Sequence, residues 1–197
     1  AWSPSNTAVF AAGSDATGAY TVTVAGTRDI SGLTVEEGSL TLTGGTGLRL
    51  VADTVISIAA GSTTTVANAI SEDASARGVS KGGDGTLVLT AANSYSGPTL
   101  IAGGAVQATA ADALNGGDIS ILSGASLQVT AAGGVDGGDI SVANGATLAL
   151  TDANAVADAD GVTIEHTGGT WTRDTDITIS NLTFNTAGGG NEDPGYT

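Results

Sequence analysis

The chain has 197 residues with five basic against twenty acidic side chains, a formal charge of −15 at pH 7, and a surface that acidic repels nucleic acid and anionic membranes. It has no cysteine, which excludes disulfides and thiolate metal sites, and no apolar run near the roughly 18 residues needed to span a bilayer. Hydrophobic residues make up 41% but aromatics only 4%, which suits a narrow interior of stacked Ala, Val, Leu and Ile, and the 31 glycines follow no G-X-Y period, so the chain is not collagen-like.

Residues 1–19 carry few strand signals, and Trp2, Val9 and Phe10 are their large apolar groups. The segment is expected to be an N-terminal cap or lead-in, with Trp2 and Phe10 covering the open end of a stack of strands; a loose tail is the alternative. From 20 to 187 the chain is a succession of short alternating runs. Tyr20 to Val24, Ile30 to Val35 (broken at Ser31-Gly32), Leu40 to Leu42, Leu48 to Leu50, Val55 to Ile58 and Thr63 to Val66 all have the period of a half-buried strand, with Gly, Asp or Asn at their boundaries. Asn68 to Gly78 is polar and alanine-rich and is expected to be a loop or one helical turn outside a corner.

Residues 82–108, GGDGTLVLTAANSYSGPTLIAGGAVQA, are the clearest unit. Gly82 to Gly85 is a turn, Thr86 to Thr90 alternates polar and apolar, Asn93 to Pro98 is a second corner, and Thr99 to Ile101 and Ala105 to Gln107 are two more strands. With no helix to cover its apolar face, such a unit buries its side chains only by winding into a coil and stacking on a copy of itself. The copies are visible further on. Gly116-Gly117-Asp118-Ile119-Ser120-Ile121 recurs as Gly137-Gly138-Asp139-Ile140-Ser141-Val142, and Gly124-Ala125-Ser126-Leu127 as Gly145-Ala146-Thr147-Leu148, at an interval of about 21 residues. Ile119 should therefore stack on Ile140 and Leu127 on Leu148. Coils of roughly 21–25 residues predict about eight or nine turns and a column ~40 Å long at ~4.8 Å per turn. Gly161 to Thr172 and Ile177 to Phe184 extend the pattern. Residues 188–197 are polar and glycine-rich, a flexible C-terminal end or an artificial boundary.

The stretch 82–108 resembles the passenger-associated transport repeat of bacterial autotransporters. The resemblance is carried by Gly83, Gly85, Thr86, Leu87, Leu89, Ala92, Asn93, Tyr95, Ser96, Gly97, Thr99, Gly104, Val106 and Gln107. Ala91 stands where a glycine is common, and Pro98 replaces a second glycine, which should interrupt the ladder there. The resemblance implies an all-β, right-handed parallel β-helix, exported across the outer membrane to the bacterial cell surface or secreted. It also implies a tether to a C-terminal membrane barrel that this chain does not contain. No signal peptide is visible at Ala1, so an exported protein would be represented here by a processed or recombinant piece.

Several residues invite a chemical reading. His166 is the only histidine, and without cysteine a zinc site would need carboxylates for every other ligand; a solvated residue at the Glu165-His166-Thr167-Gly168 corner is the plainer reading. In a strand Trp171 and Arg173 share one face and Asp174 and Asp176 the other, the latter pair ~6.6–6.8 Å apart along the chain. That separation is near the ~6.5–9.5 Å of inverting glycosidases, although alternating acids are also what a turn normally holds. A polysaccharide lyase needs clustered bases, whereas Arg28, Arg49, Arg77, Lys81 and Arg173 are scattered in sequence. Asp118 and Asp139 stack in register and could bind an ion weakly between coils, or be solvated turn residues; the calcium nonapeptide pattern is present only as one displaced fragment at Gly82 to Leu87.

No catalytic, cofactor or metal residue is assigned, no cofactor is expected, and neither nucleic acid nor direct membrane insertion is. The expected role is non-enzymatic surface adhesion or self-association, with a host or cell-surface protein or glycan as the other class of partner. An inert stalk or secretion scaffold and a carbohydrate-active β-helix enzyme are the alternatives.

Overall fold

The computed structural model describes residues 6–11, 18–157, 163–166, 170–173 and 181–184, the last three segments as backbone. Among the described residues there are strands and turns and no helix. The chain visits its sheets in rotation. The first sheet stacks Thr7–Phe10, Thr27–Val35, Gly47–Ile58, Val79–Gly82, Thr99–Ile101, Ile119–Ile121, Ile140–Val142, Thr163–His166 and Asn181–Phe184, with Ile70–Glu72 pairing beside this path on Gly47–Ile58. The second stacks Ala19–Thr23, Ser39–Thr43, Thr63–Val66, Thr86–Leu89, Ala105–Ala108, Ser126–Val129, Thr147–Leu150 and Thr170–Arg173. In the later coils a third sheet adds Leu114–Asn115, Val135–Asp136 and Val156–Ala157. Neighbouring strands run parallel, as in Thr99–Ile101 on Ile119–Ile121. The described residues form a parallel β-solenoid of about seven turns, against the eight or nine that coil length suggests for the whole chain.

Strand alternation places one residue in two inside the coil, and parallel register places like on like. Ile119 pairs with Ile140 and Leu127 with Leu148, as the 21-residue interval requires. One core column runs Leu33, Ile56, Lys81, Ile101, Ile121, Val142. Another runs Leu40, Thr64, Leu87, Val106, Leu127, Leu148. All of these side chains are buried. Each buried aliphatic side chain contributes about 1.5–3 kcal/mol before chain entropy is counted, so the stacked columns are the main source of stability.

The structure differs from the sequence reading in four places. Leu48 to Leu50 and Val55 to Ile58 are not separate strands but parts of one twelve-residue strand, Gly47–Ile58. Its register on Thr27–Val35 shifts between Ile30 and Gly32, which absorbs the extra residues between Leu50 and Val55 as a bulge. Within Asn68 to Gly78, Ile70–Glu72 is a strand, because Ile70 enters the core and pairs with Leu48. Thr7–Phe10 is also a strand, pairing with Gly32 to Val35, with Phe10 packed against the core; Trp2, the other expected capping residue, lies outside the described residues. Pro98 does not break a ladder. It stands just before Thr99–Ile101, where its carbonyl accepts from the Val79 N–H and no donor is required of it.

Two polar side chains stand in otherwise aliphatic columns, Lys81 and Thr64. Thr64 is buried and its hydroxyl has no partner. Valine has nearly the same shape without the desolvated oxygen, so Thr64→Val should stabilise the solenoid by about 1 kcal/mol. The measurement is the denaturant midpoint of the variant against wild type; a lower midpoint would show that Thr64 has a partner in solution.

Candidate functional site

The 82–108 unit owes its residue pattern to contacts between coils. Asn93 is buried; its Oδ1 accepts from the Ile70 N–H at 2.8 Å and its Nδ2 donates to the Ala113 carbonyl at 2.7 Å. One side chain therefore ties its own coil to the coil on each side. Tyr95 fills the interior and its hydroxyl shares a 2.9 Å hydrogen bond with Thr99. Burial pushes the phenol up to about 12. Gly97 is required because a Cβ there would enter the backbone of Arg77. Leu87, Leu89, Asn93, Tyr95, Gly97 and Val106 of the motif are thus consumed inside the coil, while Thr86 and Gln107 face outward and Ala92 and Ser96 are exposed.

Lys81 belongs to the same unit and is fully buried. Val79–Gly82 alternates in and out, so Lys81 faces the core beside Val79 and between Ile56 and Ile101. Its Nζ donates to the carbonyls of Gly82 at 2.8 Å, Gly83 at 2.9 Å and Gly103 at 3.2 Å. Burial lowers its pKa to about 8, against a smaller opposing pull from the Asp84 carboxylate.

The bases scattered in sequence are not all scattered in space. Arg49 makes a two-pronged ion pair with Asp29, at 2.7 and 2.8 Å, across one coil step. Arg77 makes another with Asp73, at 3.0 and 2.8 Å, within the loop that follows Ile70–Glu72. Asp73 also interacts electrostatically with Arg49, so the two pairs form one network. Hydrogen bonds from Arg77 and from the Ser75 N–H hold Asp73 at about 2, and the Arg49 hydrogen bond holds Asp29 below its ordinary value. Burial pushes Glu72 up, but the Ser96 hydroxyl and N–H and the Arg77 N–H together outweigh it and hold Glu72 down. Every acid in this network is ionised and engaged, which suits a structural clasp and not a proton donor.

The remaining candidates fare differently. The Asp118 carboxylate accepts the Asp139 N–H at 3.1 Å, so it caps the turn of the next coil. No group of three metal-ligating side chains occurs among the described residues. His166 ends the strand Thr163–His166 in register with Val142, and Trp171 and Arg173 lie in register with Leu148 and Leu150, all as backbone. Asp174 and Asp176 lie outside the described residues.

The broadest surface feature is the outer face of the second sheet. One outward column runs Thr21, Thr41, Thr65, Val88, Gln107, Gln128, Ala149. A parallel one includes Thr63, Thr86, Ala105, Ser126 and Thr147. None of the outward positions from Ala19 to Ala149 carries a charge, on a chain of formal charge −15. Among the described residues from Ala19 to Ala157, charge lies at the corners, in strands of the first and third sheets and, at Lys81, in the core.

Residues 79–108 match the family model of the passenger-associated-transport-repeat. This stretch is a passenger-associated transport repeat. Its matched span starts at Val79 and takes in Lys81, so the buried lysine lies within the repeat. No curated protein and no solved structure matches the chain. The repeat and the β-solenoid around it fit a segment of an autotransporter passenger.

Replacing Asn93 by Leu leaves the Ile70 N–H and the Ala113 carbonyl buried without their partner, and should cost about 2–4 kcal/mol. Amide exchange at Ile70 should accelerate before exchange in distant coils. Unchanged protection at Ile70 would show that the bridge is not formed.

Stability should also vary with pH in a defined way. Between about pH 8 and 10.5 the unfolded chain keeps the Lys81 proton and the folded chain has lost it, so stability rises with pH. Above pH 10 the unfolded chain ionises at the Tyr95 position while the folded chain holds its proton to about 12, so stability falls again. A maximum near pH 10 in the denaturant midpoint is expected. Lys81→Val should remove the rising limb and leave the falling one.

Proposed function

We propose that this chain is a non-catalytic segment of an autotransporter passenger, displayed at the bacterial cell surface, and that it adheres by lateral association with a second copy of itself. The observation that supports this reading is the uncharged outer wall of the second sheet. Two copies of a chain this acidic repel one another through most of their surface. A wall of Thr, Ser, Gln and Ala hydroxyls, amides and methyls removes that opposition where it matters and offers hydrogen-bonding groups at the strand spacing. Seven strands at ~4.8 Å, each about 15 Å long, span roughly 500 Å² per copy, or about 1,000 Å² buried in all, the lower end of a specific interface. Contacts repeated along the column add by avidity, so single contacts can stay weak.

A second reading has its own support. The larger side chains that define the transport repeat, Leu87, Leu89, Asn93, Tyr95 and Val106, are internal, which is what a stalk or secretion scaffold needs.

The two separate by sedimentation velocity over a range of concentration. The association reading expects a concentration-dependent shift to dimer at physiological salt, abolished when carboxylates are placed at two distant wall positions in Thr41→Glu with Gln128→Glu. Circular dichroism of that variant should match wild type. A monomer at every concentration would favour the stalk, and turnover of a polysaccharide panel, lost in Asp174→Asn or Asp176→Asn, would overturn both.

A further inference from the structure

Lys81 occupies a place where the other coils put leucine, isoleucine or valine. Its neighbours in the column are Ile56 on one side and Ile101, Ile121 and Val142 on the other. A desolvated ammonium is costly, and the usual remedy is a buried carboxylate within ion-pair distance. Here the partners are three backbone carbonyls instead, all from glycines: Gly82 and Gly83 on its own coil and Gly103 on the next. They converge because two glycine corners stack, Gly82-Gly83 over Gly103-Gly104. Gly83 and Gly104 have φ of +68° and +64°, and a Cβ on either would enter the backbone of the preceding coil. Side chains are thereby kept away and carbonyls turned inward.

We propose that these three carbonyls form a cation-binding cage between two coils, and that the Lys81 ammonium is its covalently tethered occupant. The nitrogen–oxygen distances of 2.8 to 3.2 Å show which ions it fits. They are too long for magnesium at ~2.0–2.1 Å or calcium at ~2.3–2.6 Å. They suit an ion of ammonium size, and carbonyl rings that replace the hydration shell of such an ion are what potassium filters use. The cage has no carboxylate of its own; Asp84, in the intervening turn, is the charged group whose field acts on the site. The consequence is a corner whose closure does not depend on cations in the surroundings, since it carries one. This inference stands apart from the association reading, because the site faces inward.

The test is chemical rescue at pH 6.5, where Lys81 is protonated. Lys81→Val continues the aliphatic column, so the strand keeps its packing while the cage is emptied. Its thermal midpoint should lie below that of wild type in sodium or choline chloride. It should rise by a few degrees, saturably, in ammonium or potassium chloride of equal ionic strength. Wild type should show no such preference among the four salts. An identical response of the variant to all four would overturn the proposal. A measurement on wild type decides the matter if the variant does not fold. The 15N-coupled signal of the Lys81 ammonium should show hydrogens exchanging much more slowly than those of a solvated lysine. Exchange at the solvated rate would mean that the cage is not closed around it.

Discussion

Parallel pairing in register between one coil and the next is the constraint on which everything else in this molecule depends. No coil has a core by itself, because a ring of short strands has nothing inside it but the side chains it contributes. When Ile119 lies on Ile140 and Leu127 on Leu148, those side chains become a continuous shaft, and the backbone N–H and C=O groups of each coil find partners above and below. A slip of one residue would put the aliphatic set outside and the Ser and Thr set inside. The regular glycine corners matter for the same reason. They let the chain turn at the same place in each coil, which keeps the register.

The same constraint explains how polar groups are tolerated in the shaft. A side chain inside a solenoid has the backbones of two neighbouring coils within reach. Asn93 uses both, one through its carbonyl and one through its amide. Lys81 reaches the carbonyls of its own corner and of the next. Thr64 reaches neither and is left unsatisfied. Its short hydroxyl meets only backbone groups already engaged in the ladder, whereas Asn93 lies at a corner and the long Lys81 side chain reaches one, where carbonyls point elsewhere than along the stack.

Corners and walls therefore divide the chemistry of the surface. Corners carry Asp73, Asp84, Asp118 and the Arg77 clasp, because turns favour Asp and Gly, while the Arg49–Asp29 clasp lies on the outer face of the first sheet, where its charges remain solvated. Walls carry what suits a pleated outward face, chiefly Thr, Ser and small residues. In a strongly acidic chain this division leaves one extended face free of charge. An association surface of the kind proposed above would act through repetition and not through a single decisive residue.

Much of this was legible in the residues. The 21-residue recurrence determined which isoleucines stack, the alternation determined which side chains turn inward in the well-formed strands, and the order of residues from Gly83 to Gln107 identified the transport repeat. The sequence did not disclose that Ile70–Glu72 would pair as a strand, that Gly47–Ile58 would run unbroken through a bulge, or that Arg49 and Arg77 would join one network; each depends on which residue happens to lie one coil away. Lys81 shows the limit most plainly. Its place on the Val79 face of an alternating run, directly before two glycines, is a signal that it faces inward, yet a lysine is read as a surface residue until something is seen to receive its charge. Period and composition determined that the chain winds and stacks, because burial demands it. Only the tertiary structure decided where charge and polarity settle, because the groups that satisfy them are brought together across coils and are not neighbours in sequence.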